Sequence, residues 1–296
     1  MPRIVYVNGR YVPYAEASVH VEDRGFQLAD AVYEVCEVRD GRLVDEDRHM
    51  ARLARSLKEI SIAKPMSDRA LGLVIRRTIA LNRVRRGSIY LQVTRGIAPR
   101  DFPFPVPAVA PTVVVIARMG NPERQQAQAA TGISVKTVSD IRWGRRDIKT
   151  VMLLPACLAK EAAKAEGARE AWLVDGEGFV TEGAASNAWI VDANGTLITR
   201  PTDTVILAGV TRATTLDAIQ REGLQLELRA FTREEAFAAR EAFITSATNL
   251  VMPVVAIDGK QVGDGGPGPV AQRLRSIFNH VAELSPAALR QISPLA

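Results

Sequence analysis

Lys149 stands in "DIRWGRRDIKTVMLLPACLAKEAAKAEG", residues 140–167, beside Arg145 and Arg146 and ahead of Val151, Leu153, Leu154, Ala156, Leu158 and Ala162. A lysine at the entry to so apolar a segment either snorkels to water or keeps its amine partly out of it. An amine kept partly dry can attack an aldehyde to form a Schiff base and can carry a proton. The chain has seven lysines, at 58, 64, 136, 149, 160, 164 and 260, and only Lys149 lies between a basic cluster and an apolar wall.

Four other stretches offer matching chemistry. Glu182, in "FVTEGAASNAWIVDANG" (179–195), precedes the small residues Gly-Ala-Ala-Ser-Asn. Small residues let a flat ring approach the backbone, and a carboxylate there can hold a proton on a pyridine nitrogen; the plainer reading is a surface turn glutamate. In "LAGVTRATTLDAI", Gly209, Val210 and Thr211 open a helix whose free N–H groups, with the Thr211 hydroxyl, suit a phosphate. Arg52, in "DRHMARL", can clamp a phosphate with two N–H groups. It also belongs to a helical stripe of Arg48, Arg52, Arg55 and Glu59 that water alone would satisfy. "EAFITSATNLVMPV" (241–254) ends a strand in Thr245, Ser246, Ala247 and Thr248, suited to a second phosphate contact. One amine, one carboxylate for a ring nitrogen and three phosphate contacts are together what pyridoxal 5'-phosphate requires.

The elements that must position these residues are legible from turns and periodicity. Asn8-Gly9, Asp40-Gly41, Asp175-Gly176, Asn194-Gly195 and Asp258-Gly259 each sit between β-rich runs and predict hairpins, hence a largely antiparallel sheet. "SIYLQVTRG" and "TVVVIAR" add strands. Met50, Leu53, Leu57 and Ile60 share one helical face, and helices are expected over residues 68–82, 153–167, 209–223 and 269–283. A chain of 296 residues exceeds the usual size of a single core. The polar, Gln-rich stretch around 119–131 is expected to link a small α+β domain (1–118) to a larger, cofactor-binding α/β domain (132–296).

Composition narrows the classes. No uncharged run approaches 18 residues, so no membrane span is expected, and the first residues lack the apolar core of a secretory signal. Two separated cysteines and three scattered histidines point to free thiols, a cytoplasmic setting and no metal site. The net charge of +5 comes from arginines spread along the chain among acidic residues, which fits an anionic small ligand better than nucleic acid.

The blocks "VNGRYVPYAEASVHVEDRGFQLADAVYEV", "VTRGIAPR", "DIRWGRRDIKTVMLL", "VTEGAASN", "ILAGVTR" and "TSATNLVMPV", in this order, resemble the class IV, fold-type IV pyridoxal-phosphate aminotransferases, closest to the D-amino-acid enzymes. The resemblance spans nearly the whole chain. It implies a two-domain α+β fold with mixed sheets and many hairpins, working as a homodimer. It also implies that Lys149 bonds the cofactor aldehyde and shuttles the proton, and that Glu182 pairs with the pyridine nitrogen. Arg52, Val210, Thr211, Ser246 and the backbone of Ala247 would hold the phosphate, and Tyr33, Arg100 and Phe102 would line the substrate pocket. Three positions depart from the pattern. Phe102 stands where D-amino-acid enzymes often carry a histidine, Ala31 where a glycine is usual, and Ala247 where a phosphate-binding threonine is common.

The expected reaction is transfer of an amino group from a D-amino acid, D-alanine or D-glutamate, to a 2-oxo acid. Phe102 keeps an (R)-selective amine transaminase open. A branched-chain aminotransferase, an aminodeoxychorismate lyase and a basic binding protein without catalysis complete the alternatives.

Overall fold

A computed structural model describes residues 3–286. The chain forms two compact units, and the division is not a single cut. Residues 3–121, Ile148–Val151 and residues 283–286 make the first; Pro122–Asp147 and Met152–Ala282 make the second.

The first unit runs β1 (Ile4–Val7), β2 (Arg10–Pro13), α1 (Arg24–Leu28), β3 (Ala31–Arg39), β4 (Arg42–Leu43), α2 (Glu46–Glu59), α3 (Asp68–Leu81), β5 (Arg86–Thr94) and β6 (Thr112–Met119). Its six strands pair in the order β2-β1-β6-β5-β3-β4, every neighbour antiparallel. Asn8-Gly9 and Asp40-Gly41 make the first two hairpins, as their φ > 0 preference requires. Alternate residues of β3 (Val32, Glu34, Cys36 and Val38) enter a core shared with Ile89, Leu91, Val93 and Val115, which Leu53 and Leu57 of α2 and Ile75 and Ile79 of α3 complete. The closing segment is tied in through Arg42, which donates to the carbonyls of Leu284 and Ser285.

The second unit runs α4 (Pro122–Thr131), β7 (Ile133–Ser139), α5 (Leu154–Ala165), β8 (Glu170–Val174), β9 (Phe179–Gly183), β10 (Asn187–Val191), β11 (Leu197–Thr199), α6 (Val210–Arg221), β12 (Leu226–Leu228), β13 (Phe231–Thr232), α7 (Arg233–Ala238), β14 (Glu241–Ser246), β15 (Leu250–Ile257), β16 (Lys260–Gln261) and α8 (Pro269–Val281). Its sheet order is β12-β11-β10-β14-β15-β7-β8-β9-β13, with β16 on β15. The pairs β7–β8, β15–β7 and β11–β12 are parallel and the others antiparallel. Both faces are covered. Ala188, Ile190, Ala242 and Ile244 face one apolar cluster with Trp172 and Phe231, while Trp189, Val191 and Phe243 face another with Leu274 of α8 and Ile219 of α6. Two buried faces explain why "NAWIV" and "EAFITS" read as continuous apolar runs rather than alternating ones.

The sequence expectation differs from this division in two places. Residues 122–131, read as a linker, are helix α4, which belongs to the second unit and seats Ala129 in its core. Glutamine and alanine are good helix formers, so a polar composition here reflects an exposed helix face. Ile148–Val151, expected within the larger domain, belongs to the first unit because it pairs with β3.

Glu241 closes the second unit from within. Its buried carboxylate accepts from the N–H groups of Val270 (3.1 Å) and Ala271 (3.0 Å) in the first turn of α8. Glu241→Ala is expected to lower the unfolding free energy by roughly 1–3 kcal/mol, the cost of leaving buried donors unpaired, measured by urea denaturation.

Candidate active site

In the first unit the site is built on β3. Ile148–Val151 lies along this strand: Tyr33 N–H donates to the Lys149 carbonyl (2.9 Å), Val151 N–H to Ala31 (3.2 Å), and Thr150 bridges Val32. The Lys149 main-chain N–H also reaches Ser56 Oγ on α2 at 3.4 Å. With its backbone held on both sides, the half-buried Lys149 places Nζ 3.3 Å from the Tyr33 hydroxyl and 4.3 Å from its ring centroid. The Tyr33 ring is itself stacked on Tyr90, centroids 5.7 Å apart. Among the described residues no carboxylate pairs with the Lys149 amine, so it is not committed to a salt bridge.

The opposite parity of β3 carries Glu34 into the core. Arg52 grips this carboxylate with two bonds, Nε to Oε1 at 2.8 Å and Nη2 to Oε2 at 2.7 Å, and His49 Nδ1 lies 2.8 Å from Oε2. Burial pushes the Glu34 carboxyl up, but the charge and hydrogen bonds of Arg52, with the bond from His49, outweigh it and hold the group at about 2. A phosphate held by Arg52 would therefore share the guanidinium with Glu34. Ligand atoms of Glu34, Cys36 and His49 come within 4.8 Å of one another, a grouping that the scattered histidines did not forecast. The bidentate guanidinium already neutralises the carboxylate, which disfavours a cation there.

In the second unit the site gathers around Glu182 on β9, which is 4% exposed. Arg142 Nη1 donates to Oε1 at 2.5 Å; Asn187 Nδ2 (3.0 Å) and the Leu207 N–H (3.1 Å) donate to Oε2. Arg142 is oriented in turn by Asp140, whose buried carboxylate accepts from Arg142 Nε and Nη2 and from the Thr181 hydroxyl. Glu182 is thus a carboxylate with both oxygens fixed in direction.

Asn187 links this group to the start of α6. A Cβ on Gly209 would come within 2.0 Å of Asn187 Oδ1, so only glycine fits there. Gly209 brings no side chain to cap the helix, which leaves the first turn of α6, Val210 and Thr211, without that cover. Arg212 follows, 4% exposed, with Nη2 on the Arg200 carbonyl (2.8 Å) and a buried Nε that lacks a protein partner. Asn187 pairs across the sheet with Thr245, next to Ser246, whose Oγ accepts from Asn249 N–H at 3.2 Å, with Ala247 in the turn between. A helix N-terminus, a buried arginine and a hydroxyl turn form a donor set suited to an anion.

The structure therefore gathers Lys149, Tyr33 and Arg52 in one unit, and Glu182, Val210, Thr211, Ser246 and Ala247 in the other. Arg100 and Phe102 lie on the exposed loop after β5, with the Arg100 guanidinium 5.9 Å from the Phe102 ring centroid. Residue-by-residue reading missed Glu34, His49, Arg142 and Asn187. Glu34 had a signal: a charge at the core-facing parity of "VYEVCEV" needs a buried cation. Arg142 and Asn187 had none beyond nearness to singled-out residues, since their partner Glu182 is 40 and 5 residues away.

Because the Glu34 carboxyl falls from an ordinary 4.5 to about 2 on folding, it contributes stability above pH 4.5 that is lost as pH falls toward 2. Glu34→Gln is expected to be less stable near neutral pH by on the order of 3 kcal/mol. That deficit should shrink as pH is lowered through this window, followed by urea denaturation of both proteins. A deficit independent of pH would detach the stabilisation from the Glu34 charge.

A family model described as class IV aminotransferase matches residues 31–257. The chain is 38% identical to a D-alanine aminotransferase of Bacillus licheniformis over 276 residues, covering 93% of this chain and 96% of that protein. It is 39% identical to the D-alanine aminotransferase of Staphylococcus haemolyticus, covering 94% and 98%. Among solved structures it superimposes on the branched-chain aminotransferase of the archaeon Thermoproteus uzoniensis with norvaline, with a TM-score of 0.82 at 26% identity, covering 95% of this chain and 94% of that one. It superimposes likewise on a branched-chain amino acid aminotransferase complexed with N-(5'-phosphopyridoxyl)-L-glutamate, its source abbreviated T.th., with a TM-score of 0.85 at 26% identity, covering 95% and 94%. The α+β fold, the hairpins and the matched blocks agree: the chain belongs to the class IV aminotransferases.

Proposed function

We propose that this aminotransferase moves the amino group of a D-amino acid, D-alanine or D-glutamate, to a 2-oxo acid with pyridoxal 5'-phosphate as cofactor. The observation that carries this reading is the near-full-length similarity to D-alanine aminotransferases. The residues present fit the cofactor. Glu182 offers a fixed carboxylate to a pyridine nitrogen, and Gly209 leaves the start of α6 open. Arg212 keeps a buried donor without a protein partner. Lys149, Glu182, Arg52, Val210, Thr211, Ser246 and the Ala247 backbone would hold it.

When bound, pyridoxal phosphate supplies an aldehyde for the donor's amine and a ring that draws electrons from the donor's Cα. Lys149 Nζ, once displaced by the donor amine, takes the proton from Cα and returns it one position along. The Tyr33 hydroxyl orients Nζ for both transfers. Glu182, fixed by Arg142, Asn187 and Leu207, holds the proton on the ring nitrogen. Arg100 binds the donor's α-carboxylate through its fork of N–H groups. The donor leaves as a 2-oxo acid, and a second 2-oxo acid takes up the amino group by the reverse transfers.

Phe102 supports a side activity. An apolar ring, 78% exposed, stands beside Arg100 where a polar partner would strengthen carboxylate binding, and it suits an (R)-amine without a carboxylate. A homodimer fits the exposed apolar residues of α5, Leu154 and Leu158, and of the loop after β5, Phe102, Phe104 and Val106. No described helix is long and apolar enough to cross a membrane, and the unpaired Cys36 and Cys157 support a cytoplasmic setting.

Lys149→Ala should abolish turnover and the visible absorption of bound cofactor while leaving the far-ultraviolet circular dichroism unchanged. Borohydride-trapped cofactor found on any other lysine would remove Lys149 from its role. Arg100→Ala should raise KM for D-alanine at least about tenfold, as loss of a charged hydrogen bond implies, and leave KM for (R)-1-phenylethylamine little changed. Equal losses on both donors would take Arg100 out of the carboxylate site, and a strict preference for L-leucine would replace the D-amino-acid reading.

A further inference from the structure

We infer that Arg24 fixes the loop that carries Arg100 and is thereby a specificity-determining positioning residue. The anchoring stands on the geometry of the first unit; its consequence for substrate rests on the proposed role of Arg100.

The stem of the loop is zipped to the chain before α1. Asp23 bridges Ile97, Arg24 N–H donates to Gly96 (2.9 Å), and Ala98 N–H donates to Glu22 (3.3 Å). Asp23 caps α1 through the N–H groups of Gly25 and Phe26 and also accepts from the Thr94 hydroxyl at 2.8 Å, so the Arg24 backbone is held from two sides. Its side chain is buried, and its guanidinium is used in three directions. Nε donates to Asp30 Oδ2 (2.8 Å), Nη1 to the Asp101 carbonyl (2.6 Å) and Nη2 to the Phe102 carbonyl (3.3 Å).

A surface loop ordinarily leaves its carbonyls to water. Here two successive carbonyls, immediately after Arg100, are taken by one buried cation through charge-assisted bonds. This fixes the 101–102 peptide and with it the direction in which Arg100 leaves the backbone. The frame behind Arg24 is equally tied. Asp30 also accepts from Arg95 Nε (2.6 Å) and Nη2 (3.0 Å), and Arg95 bonds the carbonyls of Ile60 (2.6 Å) and Ser61 (2.9 Å). The Arg95 guanidinium lies 3.5 Å from the Phe104 ring centroid, a second hold farther along the loop. A lysine at 24 could keep the ion pair with Asp30, but one nitrogen cannot span Asp30 and both carbonyls.

The test compares the wild-type holoenzyme with Arg24→Lys. The first readout is the rate of limited tryptic cleavage at the Arg100–Asp101 bond, followed by intact mass. The second is KM and kcat for D-alanine and for (R)-1-phenylethylamine, with Arg100→Ala as reference. Arg24→Lys should speed that cleavage at least about tenfold, the factor that losing one charge-assisted hydrogen bond gives. It should also raise KM for D-alanine in the direction of Arg100→Ala, with kcat and the amine kinetics little changed. An unchanged cleavage rate would overturn the anchoring. Faster cleavage with an unchanged KM for D-alanine, while Arg100→Ala raises it, would overturn the specificity role. An inert Arg100→Ala would instead sink the carboxylate reading, leaving the cleavage rate to judge Arg24 alone. Should the lysine variant not fold, Arg24→Gln with Asp30→Asn, which removes charge from both sides of the pair, carries the same readouts.

Discussion

A carboxylate taken out of water must be met by a cation whose hydrogen bonds point the right way. This protein meets that demand repeatedly with arginine. Glu34 is gripped by Arg52, Asp30 is shared by Arg24 and Arg95, and Asp140 and Glu182 are joined through Arg142. The preference for 31 arginines over seven lysines follows, because a planar fork serves two oxygens, or an oxygen and a carbonyl, from one side chain. The positive balance that first suggested an anionic ligand is therefore in large part internal wiring, and only part of it is available to a ligand.

The wiring has a directional purpose. Glu182 would be worth little to a ring nitrogen if its oxygens could turn; Arg142 on one and Asn187 with Leu207 on the other leave it one orientation. Asn187 does this from a strand buried on both faces, where the backbone has no freedom to drift. Lys149 is treated in the opposite way. Its backbone is held along β3, but its amine meets only a phenol, so the residue is fixed at its root and mobile at its tip. That division between rigid and movable parts suits a group that must carry a proton between neighbouring atoms.

Much of this was legible in the sequence because it is local. The five Asn/Asp-Gly turns close hairpins between β1–β2, β3–β4, β8–β9, β10–β11 and β15–β16, and the helices expected from periodicity are α2, α3, α5, α6 and α8. The short helices α1 and α7 escaped because five or six residues are too few to show a period. Helix α4 escaped because its exposed face is polar and composition alone cannot separate such a helix from a linker. The partners of Glu182 and Glu34 escaped for a different reason. Which arginine answers which carboxylate is decided by strand order, and strand order is not written in any one stretch of residues.

The excursion of Ile148–Val151 has a consequence for how the molecule can be taken apart. Four residues belonging by contact to the first unit are spliced between two strands of the second, β7 and β8, at the point that carries the amine. A gene fragment ending near residue 121 would contain Tyr33, Arg52 and Glu34 yet lack Lys149, and a fragment beginning there would carry Lys149 without the strand that seats it. The two units are therefore inherited as one object: recombination at the apparent boundary cannot exchange one half for that of a relative without separating the lysine from its bed.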